Sequence, residues 1–428
     1  MKIKVINIMN HAPDYEGYRK EPKPKINWDT STGTWVGIWG YDWANVIGNE
    51  VLKVSNKIEY EVWQPDYRAD KIYLHVFKNG LKHVLFPATK KKYFYGLKIF
   101  EDIYSEQIIK ELEKLSNTNN NTVLHLNAAY RLLHNIILKK YEKKIPLLGQ
   151  FYTNPQTSFP VYKVLNPINF LFRYIINLQQ IKYLKKFDKI IPSTQNGLDF
   201  IPKTVLKKFI FRNNHANIGI DFLKWKTEFT KEKARKLLNI SQDKIILLSS
   251  SRLIPDKQID KLILSLAKIK NKDFICYISG HGTKEYEKYL SDLVKKERLN
   301  KKIEFIGYIT EKELIKYYKA SDIFLSTSLY EAGPFSIYLA LYYGLPTICT
   351  KTGIAAEFIE KEKCGIIIPG NKYSKWARII EESLNNIKYI DISKKNSVFE
   401  FFNWGIIGKY YEYGYHEVIK SAQNHKIH

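Results

Sequence analysis

Apolar and polar positions divide the chain into a regular second half and a less regular first half. In the second half, short apolar runs alternate with segments whose apolar residues recur at helical spacing, beginning with Ile245–Leu248 and a helix over about 259–269. This alternation predicts repeated βαβ units, which build a parallel sheet covered by helices on both faces.

The same pattern continues to about residue 368. It predicts strands at 274–278, 303–305, 323–325, 347–349 and 365–368, and helices near 311–318, 335–343 and 355–360. In such sheets, ligands bind outside the carboxyl ends of the strands, where loops meet helix N-termini. Residues that carry chemistry are therefore expected in those loops.

The first half predicts a second, looser α/β domain. Its expected elements are strands at 3–8, 59–63, 123–126 and 146–149, a helix after Tyr41 and an amphipathic segment at 170–187. The Gly and Asp of 217–221 suit a turn between domains. We expect an N-terminal domain over 1–210 and a C-terminal domain over 211–404, with a final helix at about 405–428 packing back on the first domain.

Length and composition agree with two globular α/β domains, because 428 residues exceed what one core normally supports. The net charge of +25 suits an anionic partner, but A/T-biased coding equally explains runs such as Lys90-Lys91-Lys92. Three widely spaced cysteines predict neither a disulfide framework nor a zinc site. The N-terminus reads as a strand and lacks a signal peptide, and no apolar run could span a bilayer, so we expect a cytoplasmic protein.

Two cations follow the strand that ends at Ser249. In Ser250-Ser-Arg-Leu-Ile-Pro-Asp-Lys257, Arg252 and Lys257 lie between a strand's carboxyl end and the next helix. A guanidinium that bridges phosphate oxygens, a mobile ammonium and a helix N-terminus together suit a diphosphate. The bare spacing is weak evidence, because ordinary surface cations at a helix start usually explain it.

An acidic turn lies in the segment from Ser326 to Pro346. Glu331 precedes Gly333-Pro334 and a helix that begins near Phe335. Its carboxylate could accept hydrogen bonds from sugar hydroxyls, while the amides of 333–336 would face an anion above the helix. Taken alone, Glu331 also fits a helix-start acid that complements the dipole.

Taken together and in this order, these segments resemble the donor-binding domain of retaining GT-B glycosyltransferases of family 4. The resemblance covers about 217–404 and includes Ser279-Gly-His-Gly282, Ile303–Tyr308, the E-A-G-P segment and Gly344-Leu-Pro346. It implies a GT-B fold, in which two Rossmann-like domains with parallel sheets face each other across a cleft.

The resemblance also implies roles for particular residues. Arg252 and Lys257 would neutralise the donor diphosphate and its developing leaving-group charge, and Glu331 would hold the transferred sugar. The remaining donor-binding residues that it implies are Tyr308, Gly333, Pro334, Phe335 and Ser336.

Two positions depart from the family pattern. The second glutamate, eight residues after the first, usually binds the ribose, but residue 339 is Leu. The Gly that usually follows the Lys is replaced by Gln258. A leucine cannot accept the ribose hydrogen bonds, so we expect another group to bind the ribose, a different hold on the nucleotide, or decayed donor binding.

In the N-terminal half, Gly37 and Gly40 are candidates for a glycine loop near the donor phosphate. His125 and Tyr152 are candidates for the acceptor cleft. Turn glycines, a strand-end histidine and an ordinary aromatic explain the same residues without function. The segment 170–186 combines basic and apolar residues and could contact a membrane that carries a lipid-linked acceptor, although a core-facing helix explains it too.

The expected activity is retaining transfer of a sugar from a nucleoside diphosphate to a hydroxyl of a glycan or glycolipid. No metal or other cofactor is expected, because the sequence holds no D-x-D motif and two cations can substitute for a metal ion. The alternatives are a nucleotide-sugar epimerase of similar two-domain fold and a degenerate, non-catalytic scaffold or anion-binding protein. Nucleic-acid binding is not expected, since the cations are dispersed and no recognition motif is present.

Overall fold

A computed structural model provides the description of the chain. It describes residues 2–9, 27–29, 34–36, 43–67, 69–95, 98–118, 121–127, 131–151, 167–192, 198, 201–211, 216, 218–222, 225–270, 273–329, 331, 333–369, 373–386 and 395–427. The chain divides into two compact units: unit 1 comprises Met1–Gly219 with Trp404–His428, and unit 2 comprises Ile220–Asn403.

Unit 1 is built on a seven-stranded sheet with the order β11-β10-β9-β1-β4-β6-β5. All neighbouring strands are parallel except the edge strand β5, which is antiparallel to β6. The strands of unit 1 are β1 (Ile3–Ile8), β2 (Asn27–Asp29), β3 (Thr34–Val36), β4 (Ile58–Asp66), β5 (Tyr73–Val76), β6 (Lys82–Pro87), β7 (Thr89–Tyr95), β8 (Lys98–Tyr104), β9 (Thr122–Leu126), β10 (Leu147–Phe151) and β11 (Lys189–Pro192). Strands β2 and β3, and strands β7 and β8, form two separate antiparallel pairs.

The helices of unit 1 before the linker are α1 (Trp43–Val54), α2 (Glu106–Ser116), α3 (Leu132–Tyr141), α4 (Pro167–Leu184) and α5 (Lys203–Leu206). One face of the sheet packs with α2, α3 and α4 into an apolar core. The sequence predicted most strands of the main sheet, but it did not predict β5 to β8, α2 or α3.

Unit 2 contains a six-stranded, entirely parallel sheet with the order β14-β13-β12-β15-β16-β17. Its strands are β12 (Ile245–Ser250), β13 (Phe274–Ser279), β14 (Ile303–Gly307), β15 (Ile323–Ser326), β16 (Thr347–Thr350) and β17 (Gly365–Ile368). Its helices are α6 (Lys231–Leu237), α7 (Ile259–Leu266), α8 (Lys284–Lys296), α9 (Glu311–Ala320), α10 (Phe335–Tyr342), α11 (Gly353–Glu362), α12 (Trp376–Asn385) and α13 (Lys395–Phe401). The α/β class and the parallel sheets confirm the fold expected from the apolar pattern.

Threonine side chains cap three helices of unit 2. The hydroxyls of Thr230, Thr283 and Thr310 accept hydrogen bonds from the third amide of α6, α8 and α9, at 3.2 to 3.3 Å. Each cap satisfies a backbone donor that would otherwise lack a partner, and such caps typically stabilise a helix by about 1 kcal/mol. The sequence thus fixes where these helices begin.

The last helix, α14 (Trp404–Ile427), returns to unit 1 and packs on α1 and on strands β9, β10 and β11. The glycine at 408 lies against the backbone of Glu50, where an added Cβ would approach within 2.9 Å. Close approach of α14 to α1 therefore depends on the absence of a side chain at Gly408.

The two units divide after Gly219, within the segment 217–221 that suited a turn between domains. The division lies nine residues beyond the end of the domain expected over 1–210. The backbone amide of Ile220 donates to the carbonyl of Phe402 at 3.1 Å, which ties this segment to the end of unit 2. The bond joins the first and the last part of unit 2, since Ile220 begins the unit and Phe402 lies near its end.

Candidate functional site

The strand order of unit 2 reverses between β12 and β15. From β12 the chain proceeds to β13 and β14 on one side, then returns to β15, β16 and β17 on the other. Helices that leave adjacent strands toward opposite sides open a crevice at the carboxyl ends of those strands. The loops after Ser250 and after Ser326 therefore lie at the place where this type of sheet binds ligands.

Lys257 and Glu331 form an ion pair across this crevice. The Lys257 ammonium, in the loop after β12, donates to Oε1 of Glu331, in the loop after β15. The two side chains are only 12% and 14% exposed. A charge pair this sheltered is screened less by solvent than a surface pair, so removal of either side chain would leave the other charge poorly compensated.

Hydroxyl groups hold the Glu331 loop in position. Ser328 Oγ donates to Glu331 Oε1 at 2.6 Å, and the backbone amide of Glu331 donates to Thr352 Oγ1 at 2.7 Å. Thr350 Oγ1 also donates to the carbonyl of Ser328. These bonds tie the Glu331 loop, which follows β15, to the last residue of β16 and to the loop after it.

The loop of Lys257 is anchored in the same way. Thr327 Oγ1 donates to the Lys257 carbonyl at 2.9 Å, and the amide of Leu329 donates to the Asp256 carbonyl at 2.8 Å. The two loops are thus bonded to each other through their backbones as well as through the ion pair. Sequence reasoning did not assign Thr327, Ser328 or Thr352, although hydroxyl residues directly after strand ends were visible.

Gln258 adopts a left-handed backbone conformation, with φ 51° and ψ 35°. It lies between the 3₁₀ turn Pro255–Lys257 and the start of α7. For residues other than glycine this conformation is energetically unfavourable, because the Cβ atom crowds the backbone. Glycine is therefore the residue expected at this position. In this chain glutamine adopts the same left-handed conformation.

Glycines bring β13 close to the Arg252 loop. A Cβ on Gly280, whose φ is +133°, would lie 1.8 Å from the Ser251 carbonyl oxygen, and one on Gly282 would lie 1.9 Å from that of Leu253. The amide of Leu253 donates to the carbonyl of His281 at 2.9 Å. The Ser279-Gly-His-Gly282 segment therefore acts as a template for the backbone that carries Arg252.

Arg252 and Lys257 both act electrostatically on Asp256. Burial raises the pKa of the Asp256 carboxyl, and the charges of Lys257 and Arg252 partly offset that increase. The two cations therefore lie close enough to one carboxyl group to influence its ionisation. Arg252 itself is exposed at the crevice.

The N-terminus of α10 completes the unit 2 site. Pro334 occupies the cap position and is buried, and it offers no side-chain acceptor to the first amides of the helix. Phe335 packs against Trp225 with ring centroids 5.5 Å apart, and the Ser336 carbonyl accepts from Tyr318 Oη at 2.9 Å. Gly333 precedes the cap. The predicted residues 333–336 therefore lie together where α10 begins.

Leu339 is fully buried in the apolar interior behind α10. Its side chain has no exposed surface, so it offers a ligand neither a polar group nor an apolar contact. The departure seen in the sequence thus corresponds to a residue that packs in the core.

Tyr308 lies after β14 and is 68% exposed. Its ring meets the His281 ring edge to face, with centroids 5.4 Å apart. The backbone below is drawn together by a bond from the Gly280 amide to the Gly307 carbonyl at 2.9 Å. An exposed aromatic face therefore stands beside the loop that templates Arg252.

In unit 1, His125 is fully buried, which differs from the expected position in an acceptor cleft. Its Nδ1 lies 3.0 Å from Tyr415 Oη of α14, and Tyr415 Oη lies 3.1 Å from Tyr60 Oη. Burial lowers the pKa of His125 to about 3. The ring belongs to a polar network inside the unit because α14 covers it. Gly37, Gly40 and Tyr152 lie outside the described residues.

The described residues contain neither a candidate metal site nor a candidate membrane span. They contain no group of three or more His, Cys, Asp or Glu side chains arranged to hold a metal ion. Within the same residues, no helix combines the length and the apolarity required to cross a bilayer.

Comparison with known families identifies unit 2 most directly. Residues 230–397 match the model of the family described as glycosyl transferases group 1. A glycogen synthase of Clostridium kluyveri is 26% identical over 73% of this chain and 62% of its own length. An uncharacterized glycosyltransferase of Methanocaldococcus jannaschii is 30% identical over 41% of this chain and 45% of its own. The chain therefore spans roughly half to three-fifths of the length of these curated relatives.

Comparison with solved structures extends the likeness to both units. Sucrose-phosphate synthase from Thermosynechococcus elongatus superposes with a TM-score of 0.69 at 16% identity, over 98% of this chain and 100% of the other. Anabaena HepE, in complex with UDP and glucose, superposes with a TM-score of 0.63 at 12% identity, over 96% and 99%. At such identities the likeness establishes the fold alone. The chain has the GT-B fold of glycosyltransferases, and its residues 230–397 match the glycosyl transferases group 1 family.

Proposed function

We propose that the chain is a retaining glycosyltransferase that moves a sugar from a nucleoside diphosphate to a hydroxyl of a glycan or glycolipid. The observation that carries this proposal is the sheltered Lys257–Glu331 pair at the point where the strand order of unit 2 reverses. A cation and an acid in that crevice, with Arg252 beside them, match a ligand that is anionic at one end and rich in hydroxyls at the other.

Each group has a role in this reaction. Arg252 and Lys257 neutralise the diphosphate, and they stabilise it further as the bond to the sugar breaks and negative charge accumulates on the leaving oxygen. Glu331 accepts hydrogen bonds from sugar hydroxyls. Ser328 and Thr352 hold its carboxylate and its backbone in place for this role. The first amides of α10 face the anion.

In the proposed mechanism the acceptor hydroxyl attacks the anomeric carbon from the face that the diphosphate leaves. The carbon–oxygen bond to the diphosphate breaks, and a phosphate oxygen takes the acceptor proton. No nucleophile from the protein is needed, so positioning and charge stabilisation supply the catalysis. No metal ion is needed either, since two cations already serve the leaving group.

The comparisons support a nucleotide-sugar donor. The family match covers the part of unit 2 that holds Arg252, Lys257 and Glu331. HepE is described with UDP and glucose, and a relative from Acholeplasma laidlawii, 24% identical over 49% of this chain, is an alpha-monoglucosyldiacylglycerol synthase. We extend the donor class, and a glycan or glycolipid acceptor, to this chain on that basis. Membership of family 4 is part of the same proposal.

Residues other than the usual second glutamate must bind the nucleoside of the donor. Leu339 is enclosed in the core, so the ribose must be bound by other groups. Tyr308 offers an exposed aromatic face next to His281, which suits stacking against a base. We therefore expect base stacking to contribute more to donor affinity here than ribose hydrogen bonds.

A panel of nucleotide sugars tests the proposal through thermal stabilisation. Ligands that prefer the folded state raise the melting temperature, so the true donor should stand out within the panel. The donor is then labelled in the sugar and incubated with and without glycan or glycolipid acceptors, in the presence of a chelator. Label that moves only to an acceptor supports transfer. Isomerised donor without acceptor would indicate an epimerase, and stabilisation by an oligonucleotide but by no nucleotide sugar would exclude the proposal.

A further inference from the structure

The hairpin formed by β7 and β8 carries the most exposed large apolar side chain among the described residues. Phe94 is 72% exposed, and Ile99, its direct cross-strand partner, is 60% exposed. Opposed residues of an antiparallel pair point to the same face, so the two side chains form one apolar patch near the end of the hairpin. Exposed apolar patches with a polar rim mark sites of protein or membrane contact.

Lysines follow the patch along the same strand. Lys90 and Lys92 share the face of Phe94, because alternate residues of a strand point the same way, and they lie roughly 13 and 7 Å from it at about 3.3 Å per residue. Both are exposed, as is Lys91 on the opposite face. The ammonium groups of Lys90 and Lys91 lie over the rings of Tyr67 and Tyr104, at 5.1 and 3.9 Å from the ring centroids. None of the three lysines forms an ion pair with a carboxylate within the described residues. The one acid on the Phe94 face is Glu101, opposite Lys92.

The base of the hairpin is fixed firmly to unit 1. Ser105 Oγ donates to the carbonyl of Pro87 at 2.7 Å, which joins the residues that enter and leave the hairpin. Asp102 is fully buried and accepts from Arg131 Nη1 at 3.3 Å and from the amide of Leu132 at 3.0 Å. The apolar patch is therefore presented from a rigid base rather than from a loose loop.

The hairpin also begins at the functional edge of the sheet. Strand β6 ends at Pro87 and β7 begins at Thr89, so the hairpin leaves from the carboxyl end of a strand. Strand β6 is parallel to β4, and the parallel neighbours of β4 end at the same edge. In α/β sheets this is the edge that binds ligands.

We propose that the β7–β8 hairpin docks unit 1 onto an anionic membrane surface, with Phe94 and Ile99 entering the acyl boundary. Apolar faces of peripheral elements enter the boundary between headgroups and acyl chains by about 5–10 Å. Lys92 and Lys90, two and four residues behind Phe94 on the same face, then stand at the level of the lipid phosphates. The exposed apolar patch consists of two side chains, far fewer than the roughly 20–30 residues a side of a standard protein interface, so we commit to a lipid surface. Docking at this edge would bring a lipid-linked hydroxyl to the acceptor side of the proposed transferase, and in that respect it rests on the proposed function.

Vesicle binding tests the proposal without any activity measurement. The purified full chain is sedimented with phosphatidylcholine vesicles that contain about one third phosphatidylglycerol, and with phosphatidylcholine alone. We expect binding to the anionic vesicles only, weakened by salt, and a loss of roughly tenfold or more in the partition coefficient for Phe94→Ser/Ile99→Ser. Leu74→Ser/Val76→Ser is the matched control, because this pair on β5 is 58% and 52% exposed and should leave binding unchanged.

A fluorescent label locates the contact. All three native cysteines are buried, so Phe94→Cys can be labelled alone with an environment-sensitive nitrobenzoxadiazole group, with Leu74→Cys as the control. The label at 94 should brighten with anionic vesicles and be quenched by a lipid-embedded quencher, whereas the label at 74 should not respond.

Several outcomes overturn the docking proposal. They are an absence of binding to anionic vesicles, unchanged binding by Phe94→Ser/Ile99→Ser, and brightening at 94 that depends on protein concentration without lipid, which would indicate a second copy of the chain. Loss of binding by Tyr174→Ser/Leu178→Ser instead would place the contact on α4, where these side chains are 54% and 50% exposed. Nucleotide-induced thermal stabilisation is measured on the same variants, so failure of docking and failure of the proposed transferase are distinguishable.

Discussion

Lys257 and Glu331 are 74 residues apart in the sequence, yet the ammonium of one donates to the carboxylate of the other. The contact exists because β12 and β15 are neighbours in the sheet although β13 and β14 intervene in the chain. Each residue therefore sets the position of the other before any ligand arrives. Such preorganised charge is what stabilises a departing diphosphate most effectively.

Lys257→Ala should reduce turnover by about a hundredfold or more, as expected for loss of a group that stabilises transition-state charge. Steady-state kinetics with the donor from the panel measure the change. Lys316→Ala, which breaks the Glu313–Lys316 pair on α9, is the control and should leave turnover unchanged. Equal turnover in the Lys257 and Lys316 variants would remove Lys257 from the mechanism.

Gly280→Ala should destabilise unit 2 and weaken nucleotide binding. The new Cβ would meet the Ser251 carbonyl, and the positive φ adds strain, for a combined cost of about 3 kcal/mol. Urea unfolding and nucleotide-induced stabilisation report the two effects. Gly344→Ala is the control, because its φ is also positive but nothing lies near its Cβ. Similar losses in both variants would show that strain alone, without the Arg252 loop, explains the result.

Gln258→Gly should stabilise the protein by about 0.5–1 kcal/mol, because glycine adopts φ 51° without a steric cost. Gln258→Ala keeps the β-carbon and should give no such gain. Melting temperatures of the two variants and the parent provide the comparison. If Ala stabilised as much as Gly, relief of left-handed strain would not be the cause.

Two buried histidines should make the protein sensitive to acid. Burial lowers the pKa of His83 and of His125 to about 3, from 6.5. Between these two pKa values the unfolded chain binds protons that the folded chain does not. The histidines therefore do not lower the free energy of unfolding above about pH 6.5, and they lower it progressively as the pH falls below that value. At pH 5 each histidine should cost about 2 kcal/mol.

Urea unfolding between pH 7 and pH 5 measures this slope. His83→Gln and His125→Gln should each flatten it, whatever their effect on stability at pH 7. His416→Gln, at a side chain that is 48% exposed, is measured beside them as the comparison variant. An unchanged slope in both buried-site variants would mean that other groups control the acid sensitivity.

The sequence predicted unit 2 well because its strands are buried on both faces. Continuous apolar runs such as Ile245–Leu248 and Ile323–Leu325 stand out from helical periods on either side, and the structure has strands at both places. The order of these strands and helices along the chain then predicted that Arg252, Lys257 and Glu331 lie at the carboxyl ends of the strands, at one edge of the sheet. The partners Ser328 and Thr352 escaped notice because a hydroxyl's target depends on loop geometry that spacing does not encode.

Unit 1 was harder to predict for a different reason. In β7, Lys90 and Lys92 occupy the face that Phe94 shares, so the strand lacks the apolar alternation that would have identified it. His125 was a candidate for the acceptor cleft, with an ordinary strand-end histidine as the alternative. Its burial comes from α14, which lies almost 300 residues later, and no local pattern reports such a cover.

Tyr415 of α14 reaches His125, and α14 follows all of unit 2 in the chain. Unit 2, in contrast, is a single continuous segment of the chain, residues 220–403. During synthesis, unit 2 therefore has every strand of its sheet available while unit 1 still lacks its last helix. We expect the later-encoded unit to reach its native state first, which reverses the usual N-terminal order of co-translational folding.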